Sequence, residues 1–140
     1  MMKLDIFTDG GARGNPGPAA IGVFIKKDKT VIVKFGKRIG RATNNEAEYQ
    51  ALIFALKYIQ ENFLSEDLFL NFYLDSQLVV NQLNGKYKIK EKRLAELANF
   101  IRSLENKFSK KIFYKYIPRE KNKEADFLVN KALDEDFVTS

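Results

Sequence analysis

The sequence predicts an α/β fold, a five-stranded mixed sheet flanked by four helices, with the elements in the order βββαβααβα. Three apolar segments of strand length follow one another closely at the start, which is typical of an antiparallel meander. After residue 43, segments with helical periodicity alternate with apolar runs of strand length. Helical crossovers join parallel strands, so the first, fourth and fifth strands are predicted to run parallel.

The elements follow from periodicity and turn residues. Strands are predicted at residues 3–9, 19–27, 30–38, 68–74 and 111–117, with the polar pair Asp28-Lys29 turning the second strand into the third. Helices are predicted over residues 44–63, 76–83, 91–107 and 122–133. Asn84-Gly85 ends the second helix, Pro118 ends the last strand, and Asn122 is interpreted as the cap of the last helix.

Composition limits the function classes. At 140 residues, 45% hydrophobic and 30% charged, the chain is predicted to form one globular domain over residues 1–140. It has neither an apolar run of the roughly 20 residues that cross a bilayer nor a signal peptide, so we expect a cytoplasmic protein without a membrane partner. Absent cysteine excludes a disulfide scaffold, and the net charge of +6 favours a polyanionic partner.

Four acidic residues fall where a strand ends or a helix begins: Asp9, Glu48, Asp75 and Asp126. Asp9 and Asp75 close parallel strands at the edge where open α/β sheets usually place their chemistry. Each has an ordinary explanation by itself, because Asp-Gly-Gly is common in turns, Asp75 precedes a helix, and Asp126 suits the positive end of a helix dipole. Together they predict a shared acidic centre that needs cations.

Glu48 differs from its neighbour Glu46. Thr43 and Glu46 fit a capping box, so Glu46 is interpreted as structural. Glu48 lies on the apolar stripe of the helix, where an unpaired carboxylate costs several kcal/mol. The chain lacks histidine and cysteine, so oxygen ligands predict Mg²⁺ or Mn²⁺ as the cation.

The segment from Gly85 to Arg93 carries five cations in nine residues. It is either a solvated loop or a contact with nucleic-acid phosphates, and the neighbouring acids favour the phosphate contact.

These motifs together resemble ribonuclease H type 1. The residues that carry the resemblance are Asp9 to Pro18, Thr43-Asn44-Asn45 with Glu48, Asp75-Ser76-Gln77, and Pro118 to Asp126. The resemblance implies the ribonuclease H-like fold with strand order 3-2-1-4-5 and hydrolysis of the RNA strand of RNA/DNA hybrids to 5'-phosphate and 3'-hydroxyl ends. It also implies two Mg²⁺ or Mn²⁺ ions held by the four acids, with Asp9 bridging them, Glu48 and Asp75 completing one site and Asp126 the other.

The resemblance also assigns residues to the substrate, an RNA/DNA hybrid bound by what we expect to be a monomer. They are Gly10, Gly11, Asn15, Thr43, Asn44, Asn45, Ser76, Gln77, Lys86, Lys88 and Arg119. The chain departs from many family members in lacking both a histidine before the last acid and the basic handle helix. Either Arg119 or Glu120 replaces the histidine or product release differs, and either the segment from Lys86 to Arg93 contacts the substrate directly or binding is weaker.

Other interpretations stay open. A non-catalytic hybrid-binding module would keep the groove residues, although it would have little need for the acids. A nuclease that also cuts double-stranded RNA is compatible with the sequence, because both duplexes present 2'-hydroxyls. The chain could also be a nuclease domain of the kind found in reverse transcriptases that works separately from the polymerase. A general Mg²⁺-dependent phosphatase or DNA nuclease is disfavoured by Asn15, Asn45 and Gln77.

Overall fold

The structure is a computed structural model that describes residues 2–63, 67–108 and 111–135. The strands are β1 (Met2–Ala12), β2 (Gly17–Lys27), β3 (Thr30–Ala42), β4 (Leu68–Leu74) and β5 (Ile112–Tyr116). The helices are α1 (Asn44–Phe63), α2 (Gln77–Leu83), α3 (Lys92–Glu105) and α4 (Lys123–Asp134), and one 3₁₀ turn spans Arg119–Lys121.

The strands form one sheet in the order β3-β2-β1-β4-β5. β1 pairs antiparallel with β2, and β2 pairs antiparallel with β3. β4 lies parallel to β1 on one side and to β5 on the other. The predicted fold and element order are therefore confirmed. The hairpin strands are longer than predicted, because pairing continues to Gly17 opposite Ala42 through a short stretch in which glycine, proline and arginine interrupt the apolar alternation.

The main core lies between the sheet and α1, with α3 packed against α1. Its largest fully buried side chains include Leu4, Ile6, Tyr49, Leu52, Phe72 and Ile101. The Tyr49 hydroxyl donates a 2.7 Å hydrogen bond to Gln82 Oε1, which ties α1 to α2. Burial raises the pKa of Tyr49 to about 12, so the hydroxyl keeps its proton for this bond.

α4 packs on the other face of the sheet, over β2 and β3. It approaches so closely because two strand residues lack side chains there. A Cβ on Gly22 would lie 2.3 Å from the Ala125 carbonyl oxygen, and one on Gly36 would lie 2.6 Å from that of Leu128. These two glycines form a shelf that sets the height of α4 above the sheet, and with it the position of Asp126.

None of the helices in the described ranges combines the length and the apolarity that a membrane-spanning helix requires.

We expect Gly22→Ala to push α4 off the sheet and to destabilise the protein by about 2 kcal/mol, a typical cost of overpacking. Urea unfolding measures the decrease in stability. Gly11→Ala is the matched control, since its added Cβ would make only an ordinary 3.6 Å contact with Val129 Cγ1. Equal stabilities for the two variants would show that α4 can move away without cost.

Candidate active site

Three of the predicted acids converge at one end of the sheet. Asp9 lies in β1, Glu48 in the second turn of α1, and Asp75 directly after β4. One carboxylate oxygen from each lies within 4.8 Å of the other two. Asp126, in the first turn of α4, lines the same open cleft of about 510 Å³. The structure thus brings all four acids to one cleft, with three of them in a tight group.

The approach of α1 to β1 depends on Gly10. A Cβ at this position would lie 2.2 Å from the carbonyl carbon and oxygen of Ala47. The contact lets the Gly10 backbone N–H donate a 2.6 Å hydrogen bond to Glu48 Oε1. The glycine after Asp9 is therefore needed for packing, and it aims the Glu48 carboxylate at Asp9.

Burial and repulsion from neighbouring carboxylates raise the pKa values of two of these acids, Asp9 and Glu48. Asp9 and Glu48 are each only 5% exposed. Burial, followed by repulsion from Asp75 and Asp126, raises the pKa of Asp9 from 3.8 to about 7. Burial, followed by repulsion from Asp9 and Asp75, raises the pKa of Glu48 well above its usual value. No lysine or arginine within the described ranges forms an ion pair with any of the four acids.

Asn122 has a different role from the one predicted. Its side chain does not cap α4. The fully buried Asn122 Nδ2 instead donates to the Thr8 carbonyl oxygen at 2.9 Å and to Asp75 Oδ2 at 3.0 Å. Asn122 therefore joins β1 to the carboxylate that follows β4. Sequence reasoning missed this bond because an asparagine before a helix is most simply interpreted as a cap.

The loop after β1 is held by two asparagines. The Ala12 N–H donates to Asn44 Oδ1 at 2.9 Å, and the Asn44 N–H donates to Asn15 Oδ1 at 2.8 Å. Beside them the predicted capping box is present, since Thr43 Oγ1 accepts from the Glu46 N–H and Glu46 Oε1 accepts from the Thr43 N–H. These bonds fix the start of α1 next to the cleft.

Glu46 is structural, as predicted. The hydrogen bonds from Thr43, together with the Arg93 guanidinium 3.4 Å from Glu46 Oε2, lower the pKa of this carboxyl. Glu46 and Glu48 thus lie two residues apart on one helix with opposite pKa shifts.

The predicted substrate residues divide into three groups. Those that line the cleft are Gly10, Gly11, Asn44, Asn45, Ser76 and Arg119. Lys86 and Lys88 line a second groove of about 550 Å³, which shares Asn45 with the cleft. Asn15, Thr43 and Gln77 line neither; Asn15 and Thr43 make the hydrogen bonds above, while Gln77 is exposed at the start of α2.

Some cleft residues escaped sequence reasoning. Arg13, Val129, Asn130 and Leu133 also line the cleft. Arg13 forms a 2.6 Å ion pair with Asp134 at the end of α4. Asn130 Nδ2 donates to the Asp126 carbonyl oxygen at 3.1 Å and lies 3.4 Å from Asp126 Oδ1. Helical spacing from Asp126 predicts the position of Asn130, whereas nothing in the sequence pairs Arg13 with Asp134.

The donor set fits divalent metal ions. The clustered ligands are all carboxylate oxygens, which suit Mg²⁺ and Mn²⁺, and their burial without cationic partners leaves a repulsion that metal binding would relieve. The cleft contains two arginines, Arg13 and Arg119, against four acids, so its floor is anionic while its rim carries cations.

Comparison with known proteins identifies chains that are similar in sequence over most of this chain. The family model described as reverse transcriptase-like matches residues 7–132. A ribonuclease HI from Halobacterium salinarum is 40% identical over 134 residues, which cover 95% of this chain and 65% of that protein. A bifunctional protein from Mycobacterium tuberculosis is 42% identical over 135 residues, but the chain spans only 36% of its length.

A solved structure extends the comparison. LC11-RNase H1 in complex with an RNA/DNA hybrid matches with a TM-score of 0.91 and 42% identity, covering 96% of this chain and 99% of that one. The similarity therefore includes the fold and nearly the full length of that relative.

We expect Asp9→Asn to stabilise the metal-free protein at pH 8. Because the pKa of Asp9 is raised in the folded state, its contribution to stability is fully present below its unfolded value of 3.8 and is lost as pH rises through about 7. Asparagine removes that penalty, so we expect a gain of about 4 kcal/mol at pH 8 that disappears near pH 4. Urea unfolding in EDTA at both pH values measures it.

The control for this experiment is Asp28→Asn, which changes an exposed turn residue far from the cleft in the same way. A stability difference for Asp9→Asn that is the same at pH 4 and pH 8 would contradict the assigned cause.

Proposed function

We propose, from the premise that this chain belongs to the type 1 ribonuclease H family, that it hydrolyses the RNA strand of RNA/DNA hybrids with two divalent metal ions. Family membership rests on the matched family model and on a relative of nearly equal length with the same fold, and it confirms the resemblance of the motifs. The observation that carries the proposal is the group of three carboxylate oxygens within 4.8 Å at the floor of an open cleft.

The four acids would hold the ions, with Asp9 between the two sites, Glu48 and Asp75 completing one, and Asp126 belonging to the other. When bound, two Mg²⁺ or Mn²⁺ ions supply activation of the attacking water and stabilisation of the departing 3'-oxygen, which leaves 5'-phosphate and 3'-hydroxyl ends.

The chain's own residues orient these ligands. The Gly10 N–H holds Glu48, and Asn122 holds Asp75, so each carboxylate keeps one oxygen in a fixed direction. Asn130 lies beside the Asp126 carboxylate on the same helix. Such positioning reduces the reorganisation needed when substrate binds, because the ligands already face one point.

Substrate selection would rest on the cleft rim and the second groove. Gly11, Asn45 and Ser76 line the cleft, and in this proposal they would meet the sugar edges of a duplex, where the 2'-hydroxyl distinguishes RNA from DNA. Asn45 lies where the two grooves meet, so one duplex could contact the acids and also reach Lys86 and Lys88. We propose that these lysines contact backbone phosphates in place of a handle helix.

We expect cleavage of an end-labelled RNA/DNA hybrid with Mg²⁺ or Mn²⁺, and none in EDTA. Asp75→Asn should lower the cleavage rate by at least about a hundredfold, because it removes a carboxylate that would hold a metal ion. Gel electrophoresis of the labelled RNA measures the rate, and double-stranded RNA, duplex DNA and single strands in parallel lanes define the substrate range.

Glu46→Gln is the matched control for Asp75→Asn, since it neutralises an acid of the same region that serves the start of α1. It should cleave nearly as fast as wild type. Metal-independent cleavage, or binding of the hybrid without cleavage under any metal, would contradict the proposed enzyme and favour a binding module.

The phosphate contacts can be tested by reversing charge at Lys86, Lys88 and Lys90 together. We expect weaker hybrid binding and a salt dependence reduced by about 0.9 for each phosphate that is no longer neutralised. Fluorescence anisotropy with a labelled hybrid in EDTA measures both. Reversal of Lys27, Lys29 and Lys37, which are exposed on the hairpin, provides a control of equal charge. Unchanged affinity and slope in the first variant would remove the second groove from the binding surface.

A further inference from the structure

The sheet has a second face that α4 covers only in part. On β1 and β4, Leu4, Ile6, Leu70 and Phe72 are buried in the core, so the residues between them lie on the opposite face. α4 occupies the end of that face over Gly22 and Gly36. The rest, which we call the aromatic face, includes Phe7, Phe24, Phe69, Tyr73 and Phe113 with Lys3, Asp5, Lys26, Lys34 and Lys115. Two side chains of this face, Phe24 and Asn71, are buried by their neighbours.

Strand register places these side chains in rows. Phe7 lies opposite Phe24 on one side and Tyr73 on the other, and Tyr73 lies opposite Lys115. The row continues to Lys34, the partner of Phe24 on β3. One line across five strands therefore begins and ends with lysine and has three aromatic rings between.

The rings form two stacks. Phe7 and Tyr73 are stacked with centroids 4.8 Å apart, and Phe24 lies 6.1 Å from Phe7. Phe69 and Phe113 form the second stack at 5.0 Å, and Phe113 is 45% exposed. The rings support one another, so the surface would stay ordered while part of it remains open to solvent.

A lysine covers one ring of each stack. Lys115 Nζ lies 5.8 Å from the Tyr73 ring centroid, and Lys3 Nζ lies 5.9 Å from that of Phe69. Both lysines are exposed. A planar base could take the place of the ammonium group on the ring, and the long lysine side chain could then turn to the phosphate of that nucleotide.

The charge of the aromatic face selects its partner. It carries four lysines against one acid, Asp5, whose carboxylate accepts a 3.2 Å hydrogen bond from the Tyr73 hydroxyl. Lysine is depleted in protein interfaces, and two copies of one basic face would repel each other. Stacked rings edged with flexible cations match the bases and phosphates of a single strand.

We propose that the aromatic face binds single-stranded nucleic acid, with bases on the exposed rings and phosphates on Lys3, Lys26, Lys34 and Lys115. Phe7 precedes Asp9 and Tyr73 precedes Asp75 by two residues, so the face begins about 7 Å along the strands from the acidic cleft. A single-stranded extension of a duplex held in the cleft could therefore continue onto the face. This binding does not depend on metal ions or on cleavage.

The test compares two variants of equal charge. The face variant is Lys3→Ala, Phe113→Ala, Lys115→Ala. The control is Lys57→Ala, Phe100→Ala, Lys107→Ala, in which Lys57 Nζ lies 5.1 Å from the centroid of the exposed Phe100 ring on the helical side of the molecule. The probes are fluorescein-labelled single strands of uridine or thymidine about 12 nucleotides long, measured by anisotropy in EDTA.

We expect wild type and control to bind the single strands alike, and the face variant to bind about tenfold or more weakly. Its salt slope should fall by about 1.4, which is about 0.7 for each lysine removed. A hybrid with a single-stranded overhang should bind wild type more tightly than a blunt hybrid does, and the face variant should show no such difference.

Equal affinities for all three proteins, or equal decreases in both variants, would overturn the proposal. So would a dimer of the wild type, seen by light scattering, that the face variant abolishes without change in single-strand binding. A second variant, Lys3→Ala with Lys115→Ala, keeps every ring and must still lower the salt slope. Cleavage of a blunt hybrid should be unchanged in all variants, which separates this proposal from the proposed catalytic function.

Discussion

The repulsion among buried carboxylates is the constraint on which this structure depends. The carboxylates of Asp9 and Glu48 are buried away from water, and each has an oxygen within 4.8 Å of one from Asp75. No lysine or arginine in the described ranges forms an ion pair with them. Two hydrogen bonds hold the carboxylates in place against this repulsion. The Gly10 N–H of β1 binds Glu48, and the Asn122 amide, which also binds the Thr8 carbonyl oxygen of β1, binds Asp75. The free energy gained by burying the core between α1 and the sheet therefore offsets the repulsion within the acidic site.

The acidic site depends on two helices whose backbones lie very close to strands of the sheet. Gly10 lets α1 touch β1, and the shelf of Gly22 and Gly36 lets α4 touch β2 and β3, so two helices on opposite faces deliver Glu48 and Asp126 to the same sheet edge. β1 and β4 contribute the other two acids from their parallel ends. The site thus joins elements distant in sequence through contacts at which even one methyl group would be too large.

The sequence predicts what is local and periodic. The element order and the capping box of Thr43 and Glu46 could be predicted because each is set by residues within a few positions of one another. The stripe on α1 likewise marked Glu48 as buried. The two hydrogen bonds of Asn122 span 114 and 47 residues, and the ion pair of Arg13 with Asp134 joins the loop after β1 to the end of the last helix. Such contacts depend on strand order and helix height, which a single sequence does not encode in any local pattern.

The glycine shelf under α4 also affects how relatives should be compared. A Cβ added at Gly22 or Gly36 would meet the backbone of α4 and the side chain of Leu128, so any larger residue there would move the helix that carries Asp126. Natural selection for the acid is therefore expected to act on these glycines as strongly as on residues that meet the substrate. Residues that are invariant within a family of this fold would then include both those that support the helix and those that take part in the reaction. Only their positions in the structure can distinguish the two groups.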